Sequence, residues 1–218
     1  MYYTIRENGY SENTEKKSVF SGYCKRCVTE NEAKDFIAEV RAKNHGARHT
    51  VYAYVIGAKG GIKRCSDDGE PQGTGGLPVL SVIEKNDLKD VVIAVARHFG
   101  GILLGASGLA RAYGKAAGDA VMSAGRVQIV QGVRIRLAMG YDTHARISRY
   151  FTDQAIEVVD SEFASDVRVT IKVKGTDGEK IIAGIQEASL GRVEVLTVED
   201  QAFFLSADGQ LDEIEQQA

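Results

Sequence analysis

Three carboxylates stand close together in SDDGEPQGTGGLP (66–78), and their type is suited to chemistry. Asp67, Asp68 and Glu70 carry the oxygens that a Mg²⁺ ion or a general base would need. A structural reading competes, because Asp68-Gly69 and Glu70-Pro71 are ordinary turn chemistry and neighbouring loop carboxylates need not face one way. A second stretch, ARHFGGILLGASGLARAYG (96–114), supplies Arg97 and Arg111, whose planar donor forks suit phosphate or carboxylate. Between these arginines, Gly100, Gly101, Gly105 and Gly108 lie where a buried strand passes into a helix. Bare amides at such a helix start, reinforced by the dipole, favour an anion. Gly69, Gly73, Thr74 and Ser107 fall in the same two loops, while His49, His98 and Tyr113 are polar or aromatic groups able to face them. The expected site is therefore a glycine-rich, anion-facing pocket, in which Tyr113 either stacks on a base or serves the core.

Glycine is concentrated there: ten of the chain's 24 glycines fall between Ser66 and Gly118. Close backbone approach to a ligand and tight helix-on-sheet packing both call for glycine, and both readings stay open. Gly114 and Gly118, four apart on one helix face, are expected to let that helix approach its neighbour closely. The spacing Gly101-x3-Gly105-x2-Gly108 is not the dinucleotide fingerprint, and no phosphate loop with a following Lys-Ser/Thr exists. Neither Ser66 nor Ser107 has an assigned His and acid partner, so nothing declares a nucleophile. Arg97 and Arg111 either converge on a ligand or pair with Asp67, Asp68 or Glu70.

Metal ligation finds little support elsewhere. Cys24-x2-Cys27 lies in SVFSGYCKRCV, an alternating stretch that reads as a strand, and no second Cys/His pair stands at ligand spacing. His45-x3-His49 spans Gly46 and runs into a strand. No metal or cofactor is expected.

Around these residues, periodicity predicts strands over 17–29, 49–56, 62–66 and 90–96 and helices over 31–43, 79–85 and 109–124. Asn31 is the expected N-cap of the first helix. DVVIAVA (90–96) is the continuous apolar run of a central strand buried on both faces. Beyond Gly125 the pattern restarts as strand 127–139, helix 142–154, strands 155–163 and 166–174, helix 177–189 and strand 192–204. That order is the β-α-β-β-α-β split unit.

Residues 1–127 carry 18 Lys and Arg against 14 Asp and Glu, whereas 193–218 carry seven acids and no base. Attraction for anions belongs to the first half, and the C terminus reads as a solvated acidic tail. The three cysteines cannot all pair within one chain, which suits a reducing compartment. With no apolar run long enough to span a bilayer and no apolar core in the polar leader, a cytoplasmic protein is expected.

The two glycine-rich blocks, together with ARHTVYAY (47–54), closely resemble the signature blocks of the YigZ/IMPACT family over most of residues 18–125. That resemblance implies an α/β (α+β) protein. Residues 1–127 would be an IMPACT-type domain like the second domain of ribosomal protein S5. Residues 128–206 would be a ferredoxin-like βαββαβ domain like the last domain of elongation factor G, followed by the acidic tail 207–218. His98 stands where the family usually has Tyr, Leu103 where Lys is common and Ser107 where Gly is common, and the loss of that lysine makes this pocket less basic. The expected function is that of a binding or regulatory protein linked to translation or its stress control, engaging RNA, a nucleotide or a ribosome-associated partner through the glycine-rich face. A metal-dependent hydrolase or transferase acting on a phosphorylated or acidic small molecule is one alternative. A protein–protein interaction module is the other.

Overall fold

A computed structural model describes residues 1–214. The chain divides into two compact units, Met1–Gln128 and Ile129–Ala218. The first runs β1 (Tyr2–Ile5), β2 (Gly9–Glu15), β3 (Ser18–Arg26), α1 (Glu30–Lys43), β4 (His49–Ile56), β5 (Ile62–Ser66), α2 (Gly76–Lys85), β6 (Val91–His98) and α3 (Ala106–Ala124). Its sheet has the order β2-β3-β6-β4-β5, with every neighbour antiparallel.

The periodicity of the middle strands explains why this sheet has helices on both sides. Val91, Ile93 and Val95 of β6, with Val51 and Ala53 of β4, join a core containing α2 and α3. Val92 and Ala94, with Tyr54 and Ile56, join a second core against Ala33, Ile37 and Val40 of α1. Both faces of β6 are buried, so the strand has no polar face to show and reads as an unbroken apolar run.

The N-cap of α1 is Thr29 rather than Asn31. Its hydroxyl accepts from the Glu32 amide at 3.2 Å while Glu32 Oε2 accepts from the Val28 amide at 2.9 Å, a reciprocal box that Asn31 cannot form from inside the first turn. The polar leader, in which no element was expected, holds β1 and β2. β2 pairs with β3 over its whole length, and Ile5 of β1 is fully buried. Charged side chains on the exposed face of an edge strand hid it.

The role expected of Gly114 and Gly118 is also corrected. A Cβ at Gly118 would meet nothing within 4 Å, and one at Gly114 would only touch Pro78 Cβ at 4.0 Å. Close approach is made from the sheet instead: a Cβ at Gly22 would lie 2.6 Å from the Ala116 carbonyl oxygen, and the helix meets the strands with Ala112, Ala116, Ala117, Ala120 and Ala124.

The second unit continues from β7 (Arg126–Met139) through α4 (Tyr141–Asp153), β8 (Glu157–Phe163), β9 (Val167–Lys174), α5 (Gly178–Ser189), β10 (Glu194–Leu205) and β11 (Leu211–Glu213). The strand order β10-β7-β9-β8 is that of the ferredoxin-like split unit, with Ile147, Phe151 and Ile185 of the helices packed on Val133, Ile135, Leu137, Val169 and Ile171. β11 adds to β10. Leu211, buried against Val130 and Phe203, ties down part of the segment expected to be a solvated tail. The remainder of that tail, 215–218, lies outside the described residues.

Candidate functional site

The loop between β5 and α2 distributes its carboxylates in three directions. Asp67 accepts the amides of Gly73, Gly75 and Gly76, each at 2.8 Å, and so supplies from a distance the anion that the start of α2 needs. Burial opposes its charge, but the amides of Gly73, Gly76 and Gly75 outweigh that effect and hold the carboxyl below its usual range. This hold requires glycine: a Cβ at Gly76 would come within 2.8 Å of the Ser66 backbone. Asp68 turns the other way, taking the Thr50 amide and the Arg41 guanidinium at 2.6 Å each, while its carbonyl meets His49 Nδ1 at 2.7 Å. Gly69 at φ +86° completes the turn, and Thr74 is buried, its hydroxyl on the Pro71 carbonyl.

Glu70 goes inward. Its Oε1 accepts both Arg97 Nη1 at 2.7 Å and the Tyr113 hydroxyl at 2.8 Å, and the side chains of Glu70 and Arg97 are only 4% and 8% exposed. The Arg97 guanidinium lies 5.5 Å from the Phe20 ring centre and 5.4 Å from that of Phe99, a sandwich that adds cation–π attraction to the ion pair. Burial, then the bond to Glu70, raises the Tyr113 hydroxyl above its ordinary value, so it stays a donor. Tyr113 is therefore a core tyrosine with edge-on contact to Phe20, not a stacking platform.

Above this triad opens a hollow of about 370 Å³. Arg48, His49, Glu70 and Arg97 contribute its polar lining, and Pro71, Phe99, Leu103, Leu104, Gly105, Ala106 and Leu109 its apolar walls. Ser18 supports its rim, accepting the Gly100 amide at 3.1 Å, and Gly100 sits so close to the turn before β3 that a Cβ would meet Lys17 backbone at 2.0 Å. From Gly101 the loop stands free. Gly101 and Gly105 have φ of +83° and +72°, and Phe99, Ile102 and Leu103 are exposed, Leu103 at 82%. Both helices begin on a glycine cap with no acid in the first turn, but Asp67 takes the Gly75 and Gly76 amides at the start of α2, whereas no side chain caps α3 at Gly105.

The structure does not bring all the expected residues together. Arg111 is exposed and lines a separate depression with Asn13, Thr14, Glu15, Phe20, Gly108 and Lys115, so the two arginines do not clamp one ligand. α3 carries Arg111 on a face turned toward β2, while β6 delivers Arg97 under the sheet's end. His98 is half-buried at the end of β6 beside Gly46, and Ser107 is exposed on the first turn of α3; neither lines the hollow. Asp67, Asp68, Gly69, Gly73 and Thr74 build the loop rather than face the hollow. Among the described residues no group of three or more His, Cys, Asp or Glu could hold a metal ion, and Cys24 and Cys27 are buried thiols pushed up to about 12 by burial. Sequence reasoning missed Arg48, Phe99, Leu104 and Leu109; exposed apolar residues beside a Gly-Gly pair were the signal that could have found them.

The family model for the Impact N-terminal domain matches residues 16–121, which contain the hollow and every residue of the triad. A relative from Thermus thermophilus, "IMPACT family member in pol 5'region", is 32% identical over 181 residues, covering 83% of this chain and 98% of its own. This chain belongs to the IMPACT family. The Bacillus subtilis IMPACT family member YvyE is 44% identical over 127 residues, 58% of each chain. That stretch is less than two thirds of its length. Among solved structures, "Crystal structure of an hypothetical protein" matches with a TM-score of 0.57 at 26% identity, covering 91% of this chain and 97% of that one. The IMPACT-family chain is thus an α+β protein whose glycine-rich loops lie in the matched domain.

Proposed function

We propose that this chain is a binding or regulatory protein linked to translation and that its glycine-rich face contacts RNA or a nucleotide on the ribosome or an associated factor. The observation that carries the reading is the hollow of about 370 Å³ beside the uncapped start of α3, with a pinned guanidinium in its lining and exposed apolar side chains on its rim. Basic groups flank it: Arg48 on one side, Arg111 and Lys115 in the neighbouring depression. Membership in the IMPACT family supports the link to translation by association. Such work would place the protein in the cytoplasm; among the described residues no helix is long and apolar enough to cross a membrane.

The hydrolase reading has no observation in its favour, since Asp67, Asp68 and Glu70 each already hold protein donors. Filter binding of a single-stranded RNA at about 50 and 200 mM salt tests the proposal. Affinity is expected to fall steeply between the two, by roughly the tenfold or more that a few phosphate contacts produce. Absence of any salt-dependent RNA affinity would remove nucleic acid as the ligand.

A further inference from the structure

We propose that the hollow reads a nucleobase by its N–H donor edge, with Glu70 as the reading group and guanine as the preferred base. The proposal rests on the RNA- or nucleotide-binding reading of this face and specifies what is recognised there. Glu70 uses only one of its two oxygens. Arg97 and Tyr113 both donate to Oε1, and among the described residues Oε2 accepts nothing, although the side chain is 96% buried (4% exposed) and lines the hollow. A carboxylate oxygen that takes no donor from the protein, on a side chain in the wall of a hollow, can accept one from a ligand.

The remaining lining describes the rest of the ligand. Phe99, Leu103 and Leu104 offer apolar surface suited to a flat ring, and the hollow is large enough for one nucleotide but not for a duplex. At its other side, Gly105 and Ala106 open α3 with neither a capping side chain nor an acid, and Arg48 is exposed without an ion pair among the described residues. Both suit a phosphate. A molecule with donors at one end, a flat body and an anion at the other is a nucleotide. The C-terminal carboxylate of a peptide would supply the anion but no fixed donor for Glu70.

Among the bases, guanine alone presents two adjacent donors, N1–H and the 2-amino group, on its pairing edge. Uracil flanks its single N–H with two carbonyls, which a carboxylate repels, and adenine and cytosine each place a ring acceptor beside their amino group. An acceptor-only group therefore selects guanine, as in other sites that read a base splayed out of the stack.

Fluorescence anisotropy on the full chain tests this with 11-nucleotide oligouridylates carrying one central substitution. Guanosine is expected to bind about tenfold tighter than all-uridine. Inosine, which lacks the 2-amino group, and 2-aminopurine, which lacks N1–H, should fall between, and Glu70→Gln should bring the ratio of guanosine to uridine affinity close to one, whatever its effect on overall affinity. Equal affinity for the guanosine and uridine oligomers, or a preference for adenosine, overturns base reading and leaves RNA binding standing. Loss of salt-dependent affinity for every oligomer overturns both. If Glu70→Gln does not fold, as judged by circular dichroism, the inosine and 2-aminopurine series on the native chain decides alone.

Discussion

Replacing Arg97 by Met removes the guanidinium that lies near the Phe20 and Phe99 rings while keeping much of the volume of the stem. Glu70 is then left with a side chain 4% exposed and with Tyr113 as its one remaining donor. Removing one partner of a buried pair costs about 3–5 kcal/mol, because the charge left behind has neither water nor counter-ion. For a first unit of 128 residues, an unfolding entropy of about 2.1 cal/mol/K per residue converts that loss into a fall in Tm of roughly 11–19 °C. The double variant Arg97→Met, Glu70→Leu removes both charges and should recover roughly half of the loss. What remains is about 1–3 kcal/mol for a Tyr113 hydroxyl without an acceptor. Calorimetry together with urea unfolding at constant m measures both variants. A fall of less than about 3 °C for the single variant, or a double variant less stable than the single, would refute the description of a buried, mutually dependent pair.

Asp67→Asn should lower stability at pH 7 by about 1–3 kcal/mol, because the Asn side chain presents an NH₂ group to some of the amides that the carboxylate accepted. The Asp67 carboxyl is held below its ordinary value of 3.8, so its contribution is complete above that pH and is lost as the pH falls through the lower folded value. Urea midpoints of the two proteins should therefore converge below about pH 3.8, and a gap that stayed constant to pH 2 would contradict the assignment. Gly118→Ala should stabilise the protein by about 1 kcal/mol, since an interior helical glycine carries an entropic penalty and the new Cβ meets nothing within 4 Å. A lower Tm for that variant would show that α3 packs more closely there than described.

Much of the architecture was legible because periodicity records burial. DVVIAVA announced a strand covered on both faces, and the β-α-β-β-α-β order of the second half follows from its alternating and helical patterns alone. Where polar residues covered a real element, the pattern failed: β2 alternates Gly9, Ser11 and Asn13 inward with Tyr10 and Glu12 outward, and nothing in GYSENTE looks apolar until β3 is laid beside it. β11 was hidden for the same reason, three residues of acidic sequence held by a single buried Leu211.

For the site, sequence alone determined the ingredients: two glycine-rich loops, a surplus of base in the first half, carboxylates in the first loop and guanidinium groups in the second. Only the tertiary structure decided which of them meet. Arg97 and Arg111 stand 14 positions apart in sequence, yet one lies under the sheet's end on Glu70 and the other out beside β2. Asp67, Asp68 and Glu70 are near neighbours in sequence and face an amide nest, the Arg41 and Thr50 side, and the Arg97–Tyr113 pair. Residue type states what a group can donate or accept. Its partner depends on backbone turns such as Asp68 at φ +46° and Gly69 at φ +86°, and on strands that arrive from far along the chain.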